Sequence, residues 1–330
     1  MHQINTTRRA ALLGCAAAAL AGPSFAATFP IKFIGFSGQQ LKGGPVAIPA
    51  YQIAFFTSHQ GTAVGGVLTK SRLTTTLAGV PEASMRKLVD EAYADLRSQL
   101  EAAGVPLVPE AETKAGVAAS GLELHPNNAQ IVTIGRGITI GASVKKGYVA
   151  YGASAAPAIK SLHNPGSPTG AAGLGAISIN GKLGSVAKSH KAVVVAPSLV
   201  IDFAKTDAKG GRDFMGRESA NVSNRLGFSL AGVSQSLLLS STPDGRFVTP
   251  GIMRLQKDLP VDAPFATVET GAGAVRALSV ASVTNSSYID EDAARGDAAV
   301  VDLPVWEGLV RDAYRAFNAQ LVAEFKKARG

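Results

Sequence analysis

A single cysteine, Cys15, stands among the 330 residues, and it lies in the first tenth of the chain. Beyond it there is no thiol to form a disulfide, act as a nucleophile or ligate a metal, so an exported form must draw its stability from core packing. Histidine is scarce too. His59, His125, His163 and His190 are far apart in sequence and no His-Glu-x-x-His occurs, which removes the usual zinc patterns. Charged residues make up only 17% of the chain and aromatics 6%. No apolar run approaches the roughly 20 residues a membrane helix needs, so no transmembrane span is expected.

What is present begins with an address. Arg8 and Arg9 form a positive n-region without acids, Ala10 to Gly22 is small and apolar, and Pro23-Ser24-Phe25-Ala26-Ala27 offers the small residues of a cleavage site. Residues 1–26 are thus expected to be a signal peptide, cut after Ala26 or Ala27. Thr7-Arg8-Arg9 fits an ordinary secretory signal and, equally, a twin-arginine signal. Leu12-Leu13-Gly14-Cys15 has the outline of a lipobox, with Cys15 as lipidation site. Against that, only five residues separate Arg9 from Cys15, while the apolar run continues past it. Cys15 is expected to be discarded with the signal, leaving a periplasmic protein.

Removing residues 1–26 leaves 30 basic and 24 acidic residues, a net charge of +6. The excess forms no dense stripe with interleaved aromatics, so nucleic acid is not an expected partner. Contact with anionic envelope surfaces, or simple solubility, accounts for it.

Along the chain, two regions are expected, an α/β unit over 27–125 and a β-rich unit over 126–330. Ile31–Phe36, Val46–Thr57 and Val67–Val80 read as strands, with Pro49 marking an edge or bend. Pro81 opens a helix whose Met85, Leu88, Val89, Ala92, Leu96, Leu100 and Ala103 form one stripe, ended by Gly104. Val105–Val108 reads as a short returning strand. From about residue 129 alternating runs rich in glycine and serine predict a curved antiparallel sheet, with a hairpin turn at Asn180-Gly181, a break at Pro197 and a turn over Thr242–Gly245. Asp302 and Pro304 open a closing helix with Trp306, Leu309, Val310, Ala313, Phe317, Leu321 and Phe325 on its buried stripe. The fold class is therefore α+β.

Catalytic patterns fail one by one. Gly227-Phe228-Ser229-Leu230-Ala231 lacks the final glycine of a nucleophile elbow, and no histidine follows it. Gly175 stands one position too far from Gly181-Lys182 for a phosphate loop, and Leu183 replaces the hydroxyl residue. Ser-x-x-Lys at Ser84, Ser143 and Ser185 has no companion motif. Asp290–Asp297 has the acids of a calcium loop but Ala294 and Arg295 where a ligand and a glycine belong. Asp90 and Glu91 are adjacent on a helix and diverge.

The strand "YQIAFFTS", the helix "MRKLVDEAYADLRSQLEAAG" and the following "VPLVPEAE" resemble the α/β domain of CsgG- and LpoB-like periplasmic envelope proteins. The resemblance covers about a quarter of the chain and implies a non-catalytic role in assembling or scaffolding envelope structures. The expected function is an exported binding or envelope-assembly protein with no cofactor, and with envelope proteins or a small ligand as partners. Self-association into a homo-oligomer is an open alternative. So is an exported enzyme, a hydrolase or cofactor-bearing oxidoreductase, whose site gathers dispersed residues such as His163, His190 and Asp202. A carrier whose curved sheet encloses a small apolar ligand or lipid is a third.

Overall fold

The computed structural model describes residues 29–35, 41–65, 69–139, 142–160, 162, 173–212, 218–241, 248–271 and 296–330. Their backbone forms an α+β fold in which one large, open, mixed sheet of 13 strands meets four helices. The helices start and stop for legible reasons. α1 (Glu82–Ala102) follows Pro81, buries Met85, Leu88, Val89, Ala92, Tyr93, Leu96 and Leu100, and runs into Gly104 at φ +71°. α2 is Glu110–Ala119 and α3 is Gly173–Ser189. In α4 (Leu303–Arg329) the Asp302 carboxylate accepts from the Val305 amide at 3.3 Å, a side-chain N-cap, and the last turn carries Lys326, Lys327 and Arg329.

The strands are β1 (Ile31–Ile34), β2 (Val46–Ala47), β3 (Gln52–Val64), β4 (Lys70–Ala78), β5 (Ala129–Thr139), β6 (Ala142–Gly152), β7 (Val193–Arg212), β8 (Glu218–Leu230), β9 (Gln235–Ser241), β10 (Val248–Leu255), β11 (Leu259–Val261), β12 (Ala266–Glu269) and β13 (Asp297–Val301). β3 is the hub. One edge pairs with β6 along almost its whole length; the other pairs with β7 in parallel over residues 52–55 and with β4 over 58–64. β7 is the second hub: its first half lies against β9 and its second half against β8. Strands from both sides of residue 125 thus share one sheet.

Two cores cover the central strands. One packs α1 and α4 against the sheet, with Trp306 tilted on Phe55 at 5.6 Å between ring centroids. The other packs Ile179, Leu183 and Val186 of α3 against Val194, Ala196 and Leu239. Because β7 is covered on both faces, its start reads as a continuous apolar run rather than an alternating one.

Several local expectations give way. Asn180-Gly181 lies inside α3, where a helical run of Ile179, Leu183 and Val186 buries against the sheet and overrides the turn propensity of the pair. Pro197 does not break β7; it falls between Val194, the last partner of β2, and Ser198, the first partner of β3, where one edge of the strand has no neighbour. Val105–Val108 supplies a single bridge, Leu107 to Val46. The sheet is mixed: β2 with β7, β3 with β7, and β4 with β13 are parallel. The expected turn at Thr242–Gly245 and all but the last two residues of Asp290–Asp297 lie outside the described residues.

Candidate functional site

Three hairpins, β3/β4, β5/β6 and β7/β8, extend from the central sheet. The β7/β8 hairpin lies face to face on the β3/β4 hairpin. Side chains alternate across these strands, so His59, Gly61 and Ala63 of β3 face Thr206 of β7 and Val222 and Asn224 of β8. Small residues set the approach: a Cβ added to Gly61 would fall within 2.9 Å of Thr206 Cγ2 and collide with Val222. Asn224 donates to Thr75 Oγ1 at 2.7 Å and Thr69 donates to Glu218 at 3.1 Å, fastening the layers farther out.

At the base of the two layers sits a buried polar cluster. The Asp202 carboxylate accepts from His59 Nε2 at 2.7 Å through Oδ1 and from Lys146 Nζ at 2.7 Å through Oδ2. Oδ1 also accepts the amides of Phe203 (2.8 Å), which a β-bulge between Asp202 and Ala204 leaves without a partner on β8, and of Ala204 (3.4 Å). A second bulge, between Phe56 and Ser58, precedes His59 on β3. His59 is 0% exposed; its ring is edge-on to Phe203 and Phe56, and Lys146 Nζ lies 4.9 Å from the Phe56 ring centre. Burial lowers the His59 pKa against the opposing pull of Asp202, so the ring is neutral. As Nε2 donates to Asp202, Nδ1 accepts from Thr206 Oγ1 at 3.1 Å. Burial would raise Asp202, yet His59 and Lys146 outweigh it and bring its pKa down to about 2.

Hydroxyl, imidazole and carboxylate in a chain are the parts of a nucleophilic triad. Here the chain of contacts braces three strands, β3 through His59, β6 through Lys146 and β7 through Asp202 and Thr206; His59 is fully buried and Thr206 is packed against Gly61 with no room for an added methyl. Among the described residues no three or more His, Cys, Asp or Glu side chains converge as metal ligands would.

Of the dispersed residues expected for an enzyme, Asp202 belongs to this brace. His190 does not join it: it follows α3 and its Nδ1 lies 3.8 Å from Glu112 on α2. His163 lies outside the described residues, as do Arg8, Arg9, Cys15, Ala26 and Ala27. Asp90 and Glu91 diverge as expected, to Ser154 and Arg311. Ser229 lies within β8, not on a strand-to-helix turn. The sequence reading missed His59, Lys146 and Thr206. The available signal was Asp202, the one charged residue in the apolar run Leu199–Ala204, where burial demands a partner; His59, among Thr57, Ser58, Gln60 and Thr62, carried none.

The outward faces of the hairpin layers are basic. Among the described residues, Lys205, Lys209 and Arg225 are exposed on the β7/β8 face with Asp207 as the one acid, and Lys205 stands directly opposite Arg225. Like charges in that position repel. Lys70, Arg72 and Lys145 are exposed on the far face of the other layer. By sequence, the hairpin segments 52–78, 129–152 and 193–230 contain ten basic and four acidic residues, whereas the rest of 27–330 contains 20 of each. The entire net charge of +6 therefore resides in the hairpins.

These features define an α+β protein with helices on both faces of a mixed sheet and a cationic double layer of β-hairpins held by a buried His–Asp–Lys brace. No family model, curated protein or solved structure matches the chain.

Proposed function

We propose that this is an exported, periplasmic, non-catalytic binding protein of the cell envelope, which docks through its hairpin layers on an anionic lipid surface. Export through the Arg8-Arg9 signal, with Cys15 lost on cleavage after Ala26 or Ala27, belongs to the proposal. The observation that carries it is the concentration of charge: by sequence the hairpin segments hold the whole excess of basic over acidic residues, and Lys205, Lys209 and Arg225 on one outward β face and Lys70, Arg72 and Lys145 on the other are exposed. The Lys205–Arg225 opposition supports the same reading, because an anion placed between like charges relieves their repulsion. Each basic residue close to an anionic membrane contributes roughly 1 kcal/mol, so a handful suffices for reversible attachment. The brace supports a scaffolding role for His59 and Asp202, since it ties the hairpin base together with its own polar atoms. The resemblance of segments between Tyr51 and Glu112 to CsgG- and LpoB-like proteins supports the same compartment.

Sedimentation with phosphatidylglycerol vesicles, against phosphatidylcholine vesicles, tests the proposal. Binding to the anionic vesicles alone, weakening as salt rises, is the expected result. Equal partition onto both, or onto neither, overturns it.

A further inference from the structure

A cleft of about 240 Å³, lined by none of the brace residues, opens beside α2. It exceeds the roughly 150 Å³ that admits a benzene ring, and falls just short of the roughly 300 Å³ at which drug-sized sites begin. One wall is a stripe of α2 at helical spacing, Thr113, Lys114, Val117 and Ala118, and the chain beyond the helix adds Leu122 and Leu124. Leu124 is 44% exposed at the cleft's rim. The facing wall, Pro49, Ala155 and Pro157, is rigid. Asn128 clamps the 152–158 turn at both ends, donating to Gly152 O at 2.6 Å and accepting from the Ala158 amide at 2.6 Å, while Asp90 holds the Ser154 amide at 2.6 Å and its hydroxyl at 3.1 Å. The cleft is therefore formed before any ligand arrives.

Among the described residues that line the cleft, Lys114 is the one cation, and it makes no ion pair with them. The acids of α2 are turned to other groups, Glu110 to Arg97 at 3.4 Å and Glu112 to His190 at 3.8 Å. We infer that the cleft binds a medium-chain carboxylate, its chain against Val117, Ala118 and Leu122 and its carboxylate on the Lys114 ammonium. The cleft volume limits the chain to a medium length, and the lone ammonium at an apolar site selects an anionic head over a neutral one.

Calorimetric titration of the intact protein with decanoate, and with decanol as the neutral partner, tests the assignment. Lys114 and Ala118 are both exposed on α2, so Lys114→Glu and Ala118→Trp leave the core intact, which a thermal melt verifies. Saturable decanoate binding is expected, weakened about tenfold or more by Lys114→Glu and abolished by Ala118→Trp, with decanol indifferent to Lys114→Glu. Absence of saturable decanoate binding, or binding that survives Ala118→Trp, removes the site. Full decanoate affinity in Lys114→Glu removes the carboxylate from the assignment.

Discussion

Asp202 is where single residues decide most. Its carboxylate is 7% exposed and holds His59, Lys146 and two backbone amides, so removing it strands a buried imidazole and an ammonium at once. Breaking a buried charge pair from one side costs about 3–5 kcal/mol. Asp202→Asn is expected to lower the urea midpoint by a corresponding amount with an unchanged m-value; a loss below about 1 kcal/mol in that titration would show that the pair is not the brace described. The same cluster fixes a pH dependence. His59 has a lowered folded pKa, so the unfolded chain takes up its proton first, and stability begins to fall as pH drops below about 6.5. Asp202 has its folded pKa lowered to about 2, so its contribution is complete above the unfolded value near 4 and is lost between there and about 2. Chemical denaturation between pH 7 and 3 should therefore show two stages of loss, and a His59→Gln variant should lack the upper one.

At the scale of elements, the hairpin layers depend on closeness and the helices on stripes. Gly61→Ala drives a methyl into Val222 and Thr206, and is expected to raise amide exchange across β7 and β8; Val222→Ala in the same chain should restore part of the protection. Failure of that rescue would mean the layers do not meet at Gly61. Trp306→Ala empties a fully buried site between α4 and Phe55 and should cost about 3–5 kcal/mol by the same denaturation. The two helices α1 and α4 were legible in position and punctuation, at Pro81, Gly104 and Asp302, because an amphipathic helix carries its own periodicity; their buried stripes are wider than expected, taking in Tyr93, Tyr314, Asn318 and Val322. The strands β3 and β4 were legible as strands, but their partners were not, since which strand lies beside β3 depends on residues more than a hundred positions away. Asn180-Gly181 shows the limit from the other side: a strong two-residue turn signal yields to one helical face of burial. The brace was invisible for the same reason as the pairing. His59 and Asp202 are 143 positions apart, and only the parallel alignment of β3 with β7 makes them neighbours.

Over the whole molecule the arrangement separates stability from contact. The helices α1, α3 and α4 bury their apolar stripes against the base of the sheet, while the hairpin layers beyond it meet through small side chains and a polar brace and expose Lys70, Arg72, Lys145, Lys205, Lys209 and Arg225. No helix among the described residues is long and apolar enough to cross a membrane; the attachment proposed above is electrostatic and would be governed by salt. The most direct test is vesicle sedimentation of a triple charge reversal on the hairpins, Lys145→Glu, Lys205→Glu and Arg225→Glu, beside a matched triple reversal on the body at Lys182, Lys188 and Lys327. Each reversal changes the net charge by the same amount, so only placement differs. The hairpin variant is expected to lose phosphatidylglycerol binding at 0.1 M salt while the body variant keeps most of it; an equal loss in both would contradict docking through the hairpins.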